Sequence, residues 1–165
     1  MIEKQIPMMK TVLCLILLFI AFPCLQLAAA GPENQTMLFK GQTVYVPVYS
    51  HIYSGNREKP FLLATTVSIR NTDPNHSITI LLADYYDSKG KMIESYLKKS
   101  VKLKPLASIR YVVKESDRTG GSGANFIIKW KSDHDVNPPV IESIMIGTQN
   151  QQGISFTSRG KVIKW

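Results

Sequence analysis

Cysteine is almost absent from this 165-residue sequence. The two cysteines, Cys14 and Cys24, both lie within the first thirty residues. Without that segment the chain has no thiol, so it forms no disulfide and its hydrophobic core must hold it together. The same absence excludes catalytic thiols, cysteine zinc sites and iron–sulfur ligation from residues 31–165.

Acidic residues are also few, because 12 Asp and Glu stand against 20 Lys and Arg, for a formal net charge of +8. Residues 31–165 keep +7, from 18 basic and 11 acidic side chains. This charge favours an anionic ligand or an envelope protein with an acidic face as partner. Residues 89–114 hold eight basic side chains and one acid, Glu94. We interpret this stretch as a solvated basic face, with peripheral membrane contact as the alternative.

The N-terminal apolar run is too short to be a typical membrane span, which takes about 20 residues. This run, TVLCLILLFIAF at residues 11–22, follows Lys4 and Lys10 and precedes the small pair Ala28 and Ala30. A charged start, an apolar core and an A-x-A site predict a secretory signal peptide at residues 1–30. Residues 31–165 would then form a single domain in the periplasm or cell envelope.

Two alternatives remain for the N-terminal segment. The first is an uncleaved membrane anchor, which Pro23 and Gln26 weaken by interrupting the apolar run. The second is lipidation of Cys24, although Ala21, Phe22 and Pro23 before it fit a lipoprotein signal poorly. Either way the segment predicts export, and export excludes nucleic acid as a partner even though the charge would suit it.

Long segments with helical period are missing, and most of residues 31–165 alternates with the period of a β-strand. Residues 62–71 show this, with Leu63 and Val67 on one face. Residues 92–103 would also suit a helix face, but the tight turn before them favours a strand.

Pro47 cannot donate to a ladder, so the first strand is predicted at a sheet edge. The predicted strands lie at residues 43–49, 62–71, 78–87, 92–103, 108–114, 125–131, 140–147 and 153–160. Seven or eight short strands predict an all-β fold, an immunoglobulin-like antiparallel β-sandwich.

Glycine is concentrated in ESDRTGGSGANFIIKW, residues 115–130. A phosphate-binding loop needs a helix after its glycines, and a P-loop also needs a lysine. A nucleophile elbow needs G-x-S-x-G before a helix, whereas here Ala124 replaces the last glycine and a strand-period run follows. We therefore predict a turn between two antiparallel strands, with close approach of a ligand to the backbone as the alternative.

Histidine gives no metal-binding spacing such as H-x-H or H-E-x-x-H. His134 stands between Asp133 and Asp135, but neighbouring strand residues point to opposite faces, so a loop would be needed to gather these ligands. We predict ordinary hydrogen-bonded or solvated histidines, no metal and no cofactor.

Asp84 is the most distinctive acid, because it lies in LLADYY on a strand that is apolar on both faces. A buried carboxylate needs a partner or its pKa rises. It could act as a general acid or base, but without a second carboxylate at a suitable spacing we favour a structural hydrogen-bond anchor. Arg70 and Arg110 are its candidate cationic partners.

Two polar stretches, YSHIYSGN at residues 49–56 and GTQNQQGISFTSRG at residues 147–160, would suit a polar ligand or a protein surface. Arg159 could hold a carboxylate or phosphate through two hydrogen bonds. Two ordinary loops are the alternative interpretation. The candidate ligand-binding residues are His51, Tyr53, Arg70, Asp84, Gln149, Gln152, Ser155 and Arg159, and none is assigned a catalytic role.

Four stretches together resemble a known bacterial family. They are VYVPVYSHIYSGN, RNTDPNHSITI, TGGSGAN and IGTQNQQGISFTSRG, spread over about residues 41–163. The sequence is similar to the domain of unknown function 3124. The resemblance implies an exported or envelope-associated bacterial protein, with no assigned activity and no catalytic residues to carry over.

Two functions follow as hypotheses. The first is a noncatalytic binding or interaction module of the cell envelope, favoured by the export signal, the strand pattern, the basic charge and the lack of a catalytic set. The second is a cysteine-free hydrolase or lyase acting on an envelope polymer, with Asp84 and the polar stretches as its chemistry.

Overall fold

In the computed structural model, residues 37–54, 56, 58–149 and 151–164 are described, and all of them lie in one compact unit. This part of the chain forms twelve β-strands and no helix. It therefore also contains no helix that could cross a membrane. The strands are β1 (Phe39–Pro47), β2 (His51–Ser54), β3 (Lys59–Leu62), β4 (Ala64–Arg70), β5 (Ile78–Tyr86), β6 (Met92–Ser95), β7 (Val101–Leu103), β8 (Ser108–Val113), β9 (Asn125–Val136), β10 (Val140–Gln149), β11 (Gln152–Arg159) and β12 (Lys161–Lys164).

The strands form two main sheets and a hairpin. The six-stranded sheet has the order β12-β1-β9-β5-β6, and β7 also pairs with β5. The four-stranded sheet has the order β11-β10-β4-β8, and β2 pairs with β3. Every pairing is antiparallel, which confirms the predicted all-β antiparallel fold. The immunoglobulin-like subtype stays a prediction.

The main core lies between the two sheets. Strand β1 contributes Val44 and Val46, and β4 contributes Val67 and Ile69, each from alternate positions as the period of two requires. An aromatic group joins the sheets at one side, because the Tyr96 ring lies 5.1 Å from Phe126 and 5.8 Å from Tyr111. The largest fully buried side chain, Trp130 on β9, belongs to the same core.

A second, smaller core supports the β2–β3 hairpin. Phe61, Leu63 and Met145 are buried in it, and Tyr49 and Phe156 pack around them. The Tyr49 and Phe156 rings meet edge to face at 5.6 Å. This cluster fixes the hairpin against the end of β10, which matters for the site described below.

Pro47 shows where the edge-strand prediction was wrong. Strand β1 lies inside its sheet, between β12 and β9. Pro47 is its last residue, and β12 pairs only with residues from Thr43 to Tyr45, so the missing N–H of Pro47 interrupts no ladder on that side.

Residues 92–103 form strands, as predicted, but two short ones instead of one. Strands β6 and β7 both pair with β5, and residues 96–100 bulge between them. The Tyr96 N–H still donates to the Ala83 carbonyl at 2.9 Å, so the interruption stays tied to the sheet. The strands beyond the predicted eight are β2 and β3 of the hairpin, β12, and the one added by this division into β6 and β7.

The six-stranded sheet has two ends that are chemically distinct. One end, called the loop end here, carries Pro47, Tyr86 and Asn125, next to the β8–β9 connection. The opposite end, called the entry end, carries Phe39 and Val136 and receives the chain from the N-terminal side.

Candidate functional site

The glycine-rich stretch is a clasped connection at the loop end. Ser50 Oγ accepts a hydrogen bond from the Gly121 N–H at 2.9 Å and donates to the Gly121 carbonyl at 3.3 Å. Ser88 Oγ does the same with the Gly123 N–H at 2.9 Å and the Gly120 carbonyl at 3.0 Å. These backbone groups are already used inside the protein, so they are not arranged to cradle a phosphate.

Glycine is required at two positions of this clasp for separate reasons. Gly121 has a φ of +87°, a conformation that side-chain-bearing residues rarely adopt. A Cβ on Gly120 would overlap the Tyr85 hydroxyl. The predicted turn is therefore present, with one correction: β8 and β9 belong to different sheets, so the connection crosses between sheets instead of joining paired strands.

Beside the clasp lies a pocket of about 370 Å³ that we call the loop-end pocket. It is formed by three segments that are far apart in sequence: the β2–β3 hairpin, the β8–β9 connection and the end of β10. Its lining residues are His51, Lys59, Pro60, Leu62, Arg118 and Gln149. The pocket brings together one member of each polar stretch identified in the sequence, His51 and Gln149.

Local pairing positions the polar side chains of the pocket. His51 lies opposite Leu62, and its ring meets the Tyr53 ring edge to face at 5.2 Å. The His51 Nε2 and Tyr53 Oη atoms are 3.4 Å apart, and Ser50 Oγ lies 3.3 Å from His51 Nδ1. Gln149 lies opposite Gln152 at the β10–β11 turn, so both predicted glutamines stand at this end of the protein.

The pocket is cationic. Lys59 and Arg118 line it, and among the described residues no Asp or Glu does. Two acids adjoin these residues in sequence, Glu58 and Asp117, and neither lines the pocket. The Asp117 Oδ1 accepts from the Thr119 N–H at 2.7 Å and the Thr119 hydroxyl at 2.6 Å. The Gln149 amide and the His51 ring add neutral hydrogen-bonding groups. The arrangement is suited to an anionic group with polar surroundings.

Arg70, Arg159 and Ser155 lie elsewhere, on the outer face of the four-stranded sheet. Arg70 Nη2 is 3.6 Å from Glu142 Oε1, and Arg159 is directly opposite Glu142 on the neighbouring strand. Arg110 lies opposite Ser68 in the same row across the strands. We call Arg70, Arg110 and Arg159 the arginine face; none of its members joins the loop-end pocket.

Asp84 lies on the other sheet, opposite Ile127 and Ser95. It is 8% exposed and shares the outward side of β5 and β9, not the core side. Arg70 and Arg110 belong to the four-stranded sheet, so neither is the cationic partner of Asp84 that the sequence suggested. These two arginines therefore do not support the hypothesis that Asp84 acts as a general acid or base.

His76 and His134 form a pair at the entry end, with ring centroids 4.4 Å apart. His76 Nδ1 lies 3.3 Å from Asp73 Oδ1. The Asp73 carboxylate also accepts backbone N–H groups of Asn75, His76 and Asn137, and these bonds, that of Asn75 foremost, lower its pKa although burial opposes them. Within the described ranges, no three His, Cys, Asp or Glu side chains are grouped so as to hold a metal ion.

Sequence reasoning missed Lys59 and Arg118 as site residues. Neither lies in a recognisable motif, and Arg118 is separated from His51 and Gln149 by long stretches of chain. A weak signal existed for Arg118 alone, because it stands at the start of the glycine-rich loop.

Comparison with known proteins agrees with the resemblance seen in the sequence. Residues 41–163 match the model of a family described as "Protein of unknown function (DUF3124)". A Thermotoga maritima protein of known crystal structure is similar with a TM-score of 0.44 and 15% identity, over 73% of this chain and 92% of that one. No functionally described protein matches the chain.

Proposed function

Since the chain belongs to the DUF3124 family, which has no assigned activity, we propose from its own residues that it is a noncatalytic binding module of the bacterial cell envelope. Its loop-end pocket holds an acidic group of the partner. One observation carries this proposal: His51 and Lys59 of the hairpin, Arg118 of the β8–β9 connection and Gln149 of β10 converge on one pocket. Convergent polar groups in a concave site are the usual sign of a binding site.

The chemistry of the pocket favours a carboxylate. The planar guanidinium of Arg118 can donate two parallel hydrogen bonds to a carboxylate, and Lys59 adds a second positive charge. Leu62 and Pro60 supply an apolar wall against which the carbon chain of an acidic side chain can pack. An acidic protein segment therefore meets the requirements of this pocket.

The envelope location is supported by residues 1–30, whose charged start, apolar core and A-x-A site are those of an export signal. The test is the mass of the protein recovered from its own cell envelope. A chain of residues 31–165 supports export with cleavage, and retention of the first thirty residues supports an anchor. Recovery only from the cytoplasm would overturn the location.

The binding test uses a fluorescein-labelled hexaglutamate peptide and fluorescence anisotropy. We expect Lys59→Ala with Arg118→Ala to weaken binding by about tenfold or more, because each charge-assisted hydrogen bond contributes on the order of 1.5–3 kcal/mol. Lys98→Ala with Lys99→Ala is the matched control, since it removes two exposed charges outside the pocket. Equal weakening in both variants would mean general charge attraction and would refute the pocket as the site.

The hydrolase or lyase alternative depends on Asp84. This residue lies on the outer face of the six-stranded sheet and is not among the residues lining the loop-end pocket. No geometric feature at Asp84 favours catalysis, so it is not part of the proposed function.

A further inference from the structure

A second charged surface lies on the outer face of the six-stranded sheet, at the entry end. Lys164 and Lys129 stand on either side of Thr43, on the strands next to β1, and Lys131 is opposite Gly41. Together with Lys40 they line a trough of about 630 Å³. We call Lys40, Lys129, Lys131 and Lys164 the lysine face.

The charges of the lysine face are largely unneutralised. Asp135 is the one acid among the described residues that line the trough. It lies 3.9 Å from Lys40, and both side chains are more than 60% exposed, so water weakens this pair. Within the described part of the chain, no carboxylate lies within ion-pair distance of Lys129, Lys131 or Lys164.

Exposed apolar side chains accompany these lysines. Leu38 and Leu81 line the same trough and are 51% and 38% exposed, and the adjacent Met37 is 75% exposed. Lysine amines beside exposed leucine and methionine match the boundary of a lipid bilayer, where phosphates lie above acyl chains. Compact, hydrated lysine amines suit a layer of phosphates, whereas fixed bidentate recognition would favour arginine.

We propose that the lysine face lies against an anionic phospholipid bilayer. The amines donate to lipid phosphates, and Leu38 and Met37 enter the head-group region. The loop-end pocket lies at the other end of the strands, and its lining residues take no part in this contact. This inference shares with the proposed function only the envelope location; it does not depend on what the pocket binds.

The length of chain before Met37 is compatible with this contact. Fourteen residues, 23–36, separate the N-terminal apolar run from Met37. Fully extended, they reach about 50 Å at most. A tether of this length would allow contact between the lysine face and a bilayer whether the N-terminal segment is retained or cleaved.

The test is cosedimentation with vesicles at low salt. The protein is expressed from its full 165-residue sequence. It is used as purified, whether or not the cell has removed the N-terminal segment. One set of vesicles is phosphatidylcholine, and the other contains one part phosphatidylglycerol to three parts phosphatidylcholine. The readout is the ratio of binding to the two sets, because a retained apolar segment would contribute to both.

Each lysine near an anionic surface raises partitioning by roughly fivefold. We therefore expect the ratio to be about 30 or more, and to fall at least about tenfold when all four lysines are changed to glutamine. The matched control changes Lys89, Lys91, Lys98 and Lys99 to glutamine, which removes the same charge from other exposed positions. Its ratio should stay within about twofold of the wild type.

Three results would overturn the proposal. They are a wild-type ratio near one, an equal loss in the two four-lysine variants, or binding of soluble polyphosphate through the lysine face without binding to vesicles. Lys59→Ala with Arg118→Ala should leave the ratio unchanged, so failure of the membrane proposal and failure of the pocket proposal give different results. Urea unfolding midpoints confirm that each variant is folded.

Discussion

The outer faces of the two main sheets carry the same sign of charge in different arrangements. On the four-stranded sheet, Arg70 and Arg159 flank Glu142, so the arginine face is partly balanced by its own carboxylate. On the six-stranded sheet, Lys129, Lys131 and Lys164 have no such partner in the described chain. Two surfaces with the same sign of charge can therefore differ in how far their own acids neutralise them, and the membrane proposal depends on that difference.

The largest expected effect is a loss of folding stability, which would disrupt both charged faces together. Trp130 is fully buried beneath Lys129 and Lys131, in the core that the two sheets share. Trp130→Ala should lower the free energy of unfolding by about 3–5 kcal/mol, because it leaves a large cavity. Urea denaturation measures this, and Lys129→Ala on the same strand should change it by less than about 0.5 kcal/mol.

Alkaline pH is expected to destabilise the aromatic group that packs between the two sheets. Burial is the main cause that raises the pKa of Tyr96 to about 12, and burial also raises the pKa values of Tyr85 and Tyr111. The unfolded chain ionises these phenols near pH 10, so the stability they contribute is complete below pH 10 and is lost as pH rises toward about 12.

Urea midpoints between pH 8 and pH 11.5 check this direction. Tyr96→Phe should reduce the dependence on pH, whereas a midpoint that is flat or rises over this range would contradict the burial of these hydroxyls. Added salt should have the opposite pattern of effects. It should weaken vesicle binding through the exposed lysine face and change the unfolding midpoint little.

A smaller effect is expected when the arginine face loses its own acid. Glu142→Gln removes the partner of Arg70, an ion pair with a half-exposed arginine, so stability should change by less than about 1 kcal/mol. Binding to anionic vesicles should rise by a few fold, as this face becomes more like the lysine face. No gain in binding would show that unpaired charge is not what separates the two faces.

The smallest effect is expected at Asp135, the one acid among the described residues that line the trough. Asp135→Asn should raise the vesicle-binding ratio by about twofold at most, because its pair with Lys40 is already weakened by water. Glu115→Gln, an exposed acid that follows β8 of the other sheet, is the control. A similar rise in both variants would point to net charge and not to the trough.

Local features of the fold were predictable from the sequence. The alternation in residues 62–71 placed Leu63 and Val67 in the interior, and both are buried. The strand period of the residues after the glycine-rich stretch correctly indicated that this stretch is not a phosphate-binding loop. These predictions succeeded because each depends on residues that are close neighbours along the chain.

Long-range features were not predictable. Whether Pro47 lies at an edge depends on where β12 pairs, more than a hundred residues later. Arg70 and Arg110 were suggested as partners of Asp84, but sheet membership separates them. Lys59 and Arg118 entered the loop-end pocket only because the hairpin, the β8–β9 connection and β10 meet there, and no local pattern encodes that meeting.

The hydrogen bonds from Ser50 and Ser88 to the glycine-rich connection have a consequence for amide exchange. Glycine-rich surface loops normally exchange their amide hydrogens with solvent almost as fast as an unfolded chain does. Here the Gly121 and Gly123 amides are bonded to the Ser50 and Ser88 hydroxyls, which follow strands β1 and β5 of the six-stranded sheet. These hydrogen bonds should slow the exchange of the two amides, so we expect this glycine-rich stretch to exchange more slowly than its composition suggests.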